Sequence, residues 1–166
     1  MDSKALDWDA CSRWIRAQQR GGQRVVFTNG CFDLLHAGHI HLLYEARRLG
    51  DRLVVGVNSD DSVRRLKGPQ RPITALDDRV FILSALVHVD VVVVFPAHTS
   101  SPGAVDPKRE DTPWELLRQL RPDILVKGGD YTPAEVVGRE FAGRVEIVPL
   151  LEGRSTSTFL QGREIA

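Results

Sequence analysis

Five short runs of apolar residues, separated by stretches with helical spacing, constrain what this 166-residue chain can fold into. Each run is continuous rather than alternating, which is typical of parallel strands covered on both faces. The runs are residues 24–28, 53–57, 89–95, 124–126 and 145–149. Strands that alternate with helices indicate βαβ units. We therefore expect an α/β fold: a Rossmann-like, doubly wound five-stranded parallel sheet with helices on both faces.

Helices are predicted where apolar residues recur at helical spacing and where capping residues precede them. The predicted helices are residues 5–20, 38–49, a short one ending at 66, 75–86, 112–120, a short one after 132 and a short terminal one. Val80, Phe81, Leu83 and Leu86 are expected to form the apolar stripe of the fourth. Thr112 and Thr132 each precede a proline and, three residues on, a glutamate, which predicts two capped helix starts.

Length and composition favour one domain over residues 1–166, with a leading helix in residues 1–22 and a flexible insertion loop expected at 96–109. The 22 basic residues balance the 22 acidic ones, so nucleic acid is not the expected partner. The sequence has no apolar run near the roughly 20 residues that span a bilayer, and the N-terminus lacks a signal-peptide core. We expect a soluble, cytoplasmic protein. Its two cysteines make neither a disulfide framework nor a zinc-type cluster, which agrees with a reducing compartment.

Ligands of doubly wound sheets bind beyond the carboxyl ends of the strands. The polar or glycine-containing segments 28–41, 58–60, 127–131 and 153–157 each follow a predicted strand. They should therefore lie along one rim of the sheet. Four such loops on one edge predict a cleft of nucleotide size.

Residues 28–41 turn from a strand into a helix and hold His36 and His39. Such a turn presents free N–H groups and the positive end of a helix dipole to a phosphate, and Gly38 lets the phosphate approach the backbone. Helix-capping or core histidines are the simpler alternative. Zinc is disfavoured because no third ligand has suitable spacing. The glycine patterns of P-loop and dinucleotide-binding proteins do not follow the first strand.

The run Gly30-Cys31-Phe32-Asp33-Leu34-Leu35-His36-Ala37-Gly38-His39 resembles the HxGH signature of the cytidylyltransferase-like nucleotidyltransferase superfamily. The resemblance extends over residues 24–160 through Asn58-Ser59-Asp60, Arg65-Leu66-Lys67-Gly68, Arg71-Pro72, Lys127-Gly128-Gly129-Asp130-Tyr131 and Ser155-Thr156. It is closest to the adenylyltransferases that make ADP-heptose, and because no kinase half is present it implies the stand-alone form.

The resemblance implies transfer of AMP from ATP to a sugar 1-phosphate, D-glycero-β-D-manno-heptose 1-phosphate, with release of pyrophosphate. Mg²⁺ would accompany the ATP phosphates, and a homodimer or larger homo-oligomer is expected. The catalytic residues implied are His36, His39 and Lys67. The implied nucleotide-binding residues are Thr28, Asn29, Gly30, Cys31, Phe32, Gly38, Lys127, Gly128, Gly129, Asp130, Ser155, Thr156 and Ser157. The implied substrate-binding residues are Asp33, Asn58, Asp60 and Arg71.

Each assignment has a plainer alternative. Lys67 and Arg71 are also typical of solvated surface charges, and Asp33 of a residue that braces a turn. Residues 127–130 suit a tight turn, and residues 155–157 an ordinary helix cap.

At the family level, a glycerol-3-phosphate cytidylyltransferase that uses CTP is one alternative, and a non-catalytic nucleotide-binding module is another. The cytidylyl alternative is weakened at residues 150–156, where the sequence Leu-Leu-Glu-Gly-Arg-Ser-Thr lacks the first arginine of the Arg-Thr-Glu-Gly-Ile-Ser-Thr motif. Arg154 is a candidate substitute for that arginine.

Overall fold

The computed structural model describes residues 4–95, 110–129 and 131–149. Within these ranges the main elements alternate between strands and helices, as the sequence predicts. In chain order they are α1 (Trp8–Arg20), β1 (Val25–Gly30), α2 (Ala37–Arg48), β2 (Arg52–Asn58), α3 (Asp60–Lys67), α4 (Leu76–Ala85), β3 (Val91–Phe95), α5 (Trp114–Leu120), β4 (Ile124–Gly128) and β5 (Arg144–Val148), with 3₁₀ turns at Pro133–Glu135 and Arg139–Phe141. The predicted terminal helix lies outside the described residues.

The strands form one parallel sheet in the order β3-β2-β1-β4-β5. This confirms the doubly wound sheet. The chain moves outward from β1 to β3 and then returns to place β4 on the other side of β1. The point of reversal lies between β1 and β4, where Thr28 pairs with Val126. In such sheets the ligand crevice opens beyond the carboxyl ends of these two strands.

Two apolar clusters cover the two faces of the sheet, which confirms helices on both sides. On one face α1 and α5 pack on the sheet through Cys11, Ile15, Leu116, Leu117 and Leu120. On the other, α2 and α4 contribute Leu43, Ala46 and Leu83. The strands are buried on both faces because every second residue of each run faces a different helix layer.

Two predicted details of the helices are wrong. Phe81 is 68% exposed, since it lies two residues before the buried Leu83 and therefore points to the other side of α4. Thr112 is not the cap of α5, because the helix begins at Trp114 with Pro113 in the cap position. Two contacts of Asp111, the residue before Thr112, fix this start. Its backbone carbonyl accepts a hydrogen bond from Asn58, and its carboxylate pairs with Arg65.

The cap at Thr132 is confirmed. The Glu135 side chain accepts hydrogen bonds from the backbone N–H of Thr132 at 2.8 Å and from its hydroxyl at 2.7 Å. The helix that it begins is a single 3₁₀ turn of three residues.

Gly56, in the middle of β2, leaves room for two buried aromatic rings. A Cβ added there would lie 2.7 Å from Cζ of Phe27 and 3.1 Å from Cε1 of Phe95. We expect Gly56→Ala to destabilise the protein by about 1–3 kcal/mol through overpacking. Thermal unfolding measures this as a lower Tm. The double variant Gly56→Ala with Phe27→Leu should lose less than the sum of the two single changes, and strict additivity would count against the overlap.

Candidate active site

His36 lies at the start of α2 and uses one ring nitrogen to cap the helix. Its backbone is extended, with φ −139° and ψ 171°, and its Nδ1 accepts a hydrogen bond from the N–H of Gly38 at 3.1 Å. A neutral imidazole whose Nδ1 accepts must carry its proton on Nε2. His36 is thus a helix cap that still has one N–H to donate.

The ring of His39 stacks on that of His36. The centroids of the two imidazoles are 3.8 Å apart, with 24° between the ring planes. The ring of the buried Phe32 also contacts His39, at a centroid distance of 5.1 Å. Nδ1 of His39 is buried without a well-formed hydrogen bond among the described residues. The structure therefore brings the two predicted histidines together, one of them with an unsatisfied nitrogen.

Both imidazoles are held neutral. Burial, then the charges of His36 and Lys67, together lower the pKa of His39 to about 4, and only a hydrogen bond with the backbone of Leu34 opposes the shift. Burial, followed by the charge of Lys67, also lowers the pKa of His36. Two stacked rings that both stay neutral avoid repelling each other. An arriving anion would reverse this balance by favouring the protonated forms.

Lys67 and Lys127 come from opposite sides of the sheet's switch point to the same neighbourhood. Burial raises the pKa of the Cys31 thiol, while the charges of Lys67, Arg79 and Lys127 lower it. Because these charges act on one sulfur, the two lysines lie near the start of the loop that leads to the histidines. Lys67 ends α3 and is exposed.

Lys127 is the penultimate residue of β4, and its side chain is half-buried. Burial lowers its pKa, and Nζ lies 5.8 Å from the ring centroid of Tyr131. A cation that has lost much of its water gains from a nearby anion more than a solvated one does. Among the described residues Lys127 has no carboxylate partner, so it adds a positive charge to the cleft.

Asp33 and Arg71 contact each other. The Asp33 carboxylate is fully buried: Oδ1 accepts the N–H groups of Ile73 and Thr74 at 2.7 and 2.9 Å, and Oδ2 lies 2.9 Å from Nε of Arg71. These are the contacts of a residue that braces the loop between α3 and α4. A direct role of either side chain with substrate stays a prediction.

Asn58 and Asp60, at the end of β2 and the start of α3, are also engaged within the chain. The Asn58 amide donates to the Ser62 hydroxyl and the Asp111 carbonyl, at 2.9 and 3.2 Å. Asp60 pairs with Arg79 at 2.7 Å. Arg79, which is 1% exposed, is the residue of this region that sequence reasoning missed. It stands three residues after Leu76 and four before Leu83, so a charged residue on the buried stripe of α4 was the available signal.

Among the described residues, the remaining predicted ones lie at the carboxyl ends of β1 and β4 or in the first turn of α2. Thr28, Asn29 and Gly30 end β1, and the Thr28 hydroxyl is buried without a partner in the described part of the chain. Gly38 is buried in the first turn of α2. Gly128 ends β4, and Gly129 follows with φ 122°, a conformation that favours glycine. Asp130, Arg154, Ser155, Thr156 and Ser157 lie outside the described residues.

The arrangement suits binding of an extended anion. It combines the N-terminus of α2, two neutral imidazoles and two lysines at the switch point of the sheet. Among residues 4–95, 110–129 and 131–149, no group of three or more His, Cys, Asp or Glu is placed to hold a metal ion. None of the helices in those ranges is long and apolar enough to cross a membrane.

Comparison with known proteins decides the family. Residues 27–156 match the family model described as cytidylyltransferase-like. The chain belongs to this family. As a cytidylyltransferase-like protein it is a nucleotidyltransferase, and the histidine pair, Lys67 and Lys127 all fall within the matched residues.

Curated relatives of this cytidylyltransferase-like chain include the bifunctional protein HldE of Syntrophotalea carbinolica, 51% identical over 164 residues, and that of Trichlorobacter lovleyi, 49% identical. Each alignment covers 96% of this chain and 31% of the relative, so the chain spans about a third of their length. The lipopolysaccharide core biosynthesis protein from Thermoplasma volcanium is a solved relative at 29% identity and a TM-score of 0.57, covering 78% of this chain and 98% of that one.

A second solved structure shares the fold alone. It is the pantoate-beta-alanine ligase from Francisella tularensis, complexed with beta-gamma ATP and beta-alanine, at 16% identity and a TM-score of 0.61. The match covers 97% of this chain and 73% of that one.

The half-buried His39 makes this cytidylyltransferase-like protein sensitive to acid. Its folded pKa of about 4 lies below the ordinary 6.5, so the unfolded chain binds more protons between those two values. Its contribution to the free energy of unfolding is complete above pH 6.5 and falls by about 3 kcal/mol as the pH drops to 4. Urea unfolding at several pH values measures the loss. We expect His39→Gln to flatten the profile over this range, and an unchanged slope would contradict the buried neutral imidazole.

Proposed function

We propose that this chain transfers AMP from ATP to a sugar 1-phosphate, D-glycero-β-D-manno-heptose 1-phosphate, giving ADP-heptose and pyrophosphate. The observation that carries the proposal is the stacked pair of neutral histidines at the N-terminus of α2 under the charge of Lys67. The identity to HldE proteins, and the similarity to a lipopolysaccharide core biosynthesis protein, support a sugar substrate.

In the proposed reaction a phosphate oxygen of the sugar phosphate attacks the α-phosphorus of ATP in line. The bond to the β-phosphate oxygen breaks, and pyrophosphate leaves with that electron pair. No covalent intermediate on the protein is needed, so catalysis consists of positioning and charge stabilisation. His36 would donate its Nε2–H to the phosphates, and His39 would gain a partner for a ring that burial has left poorly solvated.

The lysines would serve the two ends of the nucleotide. Lys67 would meet the phosphates, because its charge already acts on both imidazoles. Lys127 and the glycines after it would lie against the nucleoside, with Asp130 as a further contact. Ser155, Thr156 and Ser157 would donate to the β- and γ-phosphates. Mg²⁺ would enter with ATP, bound to phosphate oxygens, and would supply additional charge neutralisation. Assembly into a homodimer or larger oligomer is part of the same proposal.

The test is pyrophosphate release with each pairing of ATP or CTP with heptose 1-phosphate or glycerol 3-phosphate. We expect release with ATP and heptose 1-phosphate, at a rate at least tenfold above that of the other pairs. Release with CTP alone would replace the adenylyl proposal by a cytidylyl one. Nucleotide binding without release from any pair would indicate a non-catalytic binding module.

A further inference from the structure

The guanidinium of Arg79 joins three separate parts of the chain through four acceptors. Its side chain is fully buried, and each of its nitrogens donates a hydrogen bond. The acceptors are the Thr74 carbonyl from Nε at 3.0 Å, the Cys31 and Asn58 carbonyls from Nη1 at 2.6 and 2.8 Å, and the Asp60 carboxylate from Nη2 at 2.7 Å. The planar fork of arginine is required here, because the three donors of a lysine radiate from a single nitrogen.

Two of these contacts hold the ends of the segment that carries Lys67. Asp60 is the first residue of α3, and Thr74 immediately precedes the cap of α4. Lys67 lies between them, as the last residue of α3. The same guanidinium therefore holds both ends of this segment, at the start of α3 and just before α4.

The contact to Cys31 ties the histidine loop to the same group. Cys31 directly follows β1 and begins the loop that reaches the capping His36. The guanidinium thus lies where the histidine loop and the Lys67 segment meet. It touches neither imidazole nor Lys67, so any effect on the reaction must pass through the backbone it holds.

We propose that Arg79 is a positioning residue for nucleotidyl transfer, which holds the Lys67 segment against the loop that carries His36 and His39. This inference rests on the proposed function. Its energetic basis is that a buried guanidinium with four hydrogen bonds permits one arrangement of its acceptors, and that changing it leaves Asp60 and three carbonyls to find other partners.

Kinetics of the variants Arg79→Lys and Asp60→Asn, each alone and combined with Lys67→Met, test the proposal. Alone, each should lower kcat about tenfold or more while KM for both substrates changes less than about threefold, because the charge is misplaced rather than lost. In the Lys67→Met background each should lower kcat less than about twofold further, since the group it positions is gone. Equal losses in both backgrounds, or unchanged kcat, would overturn it.

A matched control is Arg52→Lys. Arg52 pairs with Asp90 at 3.2 Å and begins β2, at the opposite edge of the sheet from the site. It should keep kcat within about twofold, because its ion pair is partly exposed and remote from the cleft. A loss as large as that of Arg79→Lys would show that any weakened arginine pair has the same effect.

A second readout does not depend on the reaction. Lys67 lowers the pKa of His36 and of His39, so both values should rise in Lys67→Met, Arg79→Lys and Asp60→Asn when followed by NMR of the imidazole protons. If no substrate pair reacts but the values rise, the proposed function fails and the positioning stands. If Arg79→Lys does not fold, Asp60→Asn, which removes only the negative charge of one of the four acceptors, decides. A folded Asp60→Asn with unshifted histidines would overturn the proposal.

Discussion

Replacing His39 by alanine is expected to lower kcat by about two or more orders of magnitude with the fold intact. The physical reason is that the imidazole is desolvated, neutral and in contact with His36 before any ligand arrives, so its interaction with charge developing at the α-phosphate is little weakened by water. The fold should tolerate the change because the ring leaves one buried nitrogen unsatisfied. Steady-state pyrophosphate release measures kcat, and circular dichroism and Tm check the fold.

The control for this prediction is His41→Ala. His41 lies two residues further along α2, so its side chain points to a different side of the helix from that of His39. Its replacement should leave kcat within about twofold, as expected of a side chain outside the reaction. If His39→Ala turned over at the original rate in a folded protein, the histidine pair would have no part in the transfer.

The second large effect is expected for Lys67→Met. The methionine keeps much of the apolar stem but removes the charge that acts on both imidazoles and on Cys31. We expect kcat to fall about 10- to 100-fold, the size typical of losing one electrostatic stabiliser of a transferring phosphoryl group. The same assay measures it, with ATP varied so that kcat and KM are separated.

Arg64→Met is the matched control for Lys67→Met. Arg64 lies three residues earlier in the same helix, is exposed, and pairs with Asp61 on the surface. Removing its charge should change kcat by less than about twofold, because a solvated ion pair is worth little. Equal losses from the two variants would mean that the net charge of α3 matters rather than the position of Lys67.

The fold could be predicted from the sequence because its decisive signal is local. Continuous apolar runs such as residues 53–57 can be buried on both faces only in a covered parallel sheet, and the rules of βαβ connection limit the strand orders without fixing one. Helix details were harder. Phe81 is apolar but exposed, and the start of α5 depends on Asp111 contacting α3, which no local pattern reveals.

In the candidate site, too, local features could be predicted from the sequence and tertiary contacts could not. Spacing alone indicated that His36 and His39 lie close together, and the structure stacks them. Spacing did not indicate that His36 has two functions at once. One ring nitrogen caps the helix, and the other remains a donor for a ligand. The contacts of Asp33 with Arg71, and of Asp60 with Arg79, join residues from separate segments. Such pairs depend on tertiary packing: periodicity can indicate that Arg79 is buried, but not which residue it pairs with.

The most direct test of the account is NMR of the histidine ring nitrogens during titration with α,β-methylene-ATP, which binds but cannot transfer its AMP. If the histidine pair holds the triphosphate, the ring signals of His36 and His39 shift together and both pKa values rise. The reason is that phosphate oxygens replace the solvent that burial has removed. Saturating binding that leaves both histidine signals and pKa values unchanged would contradict the claim that this pair holds the triphosphate.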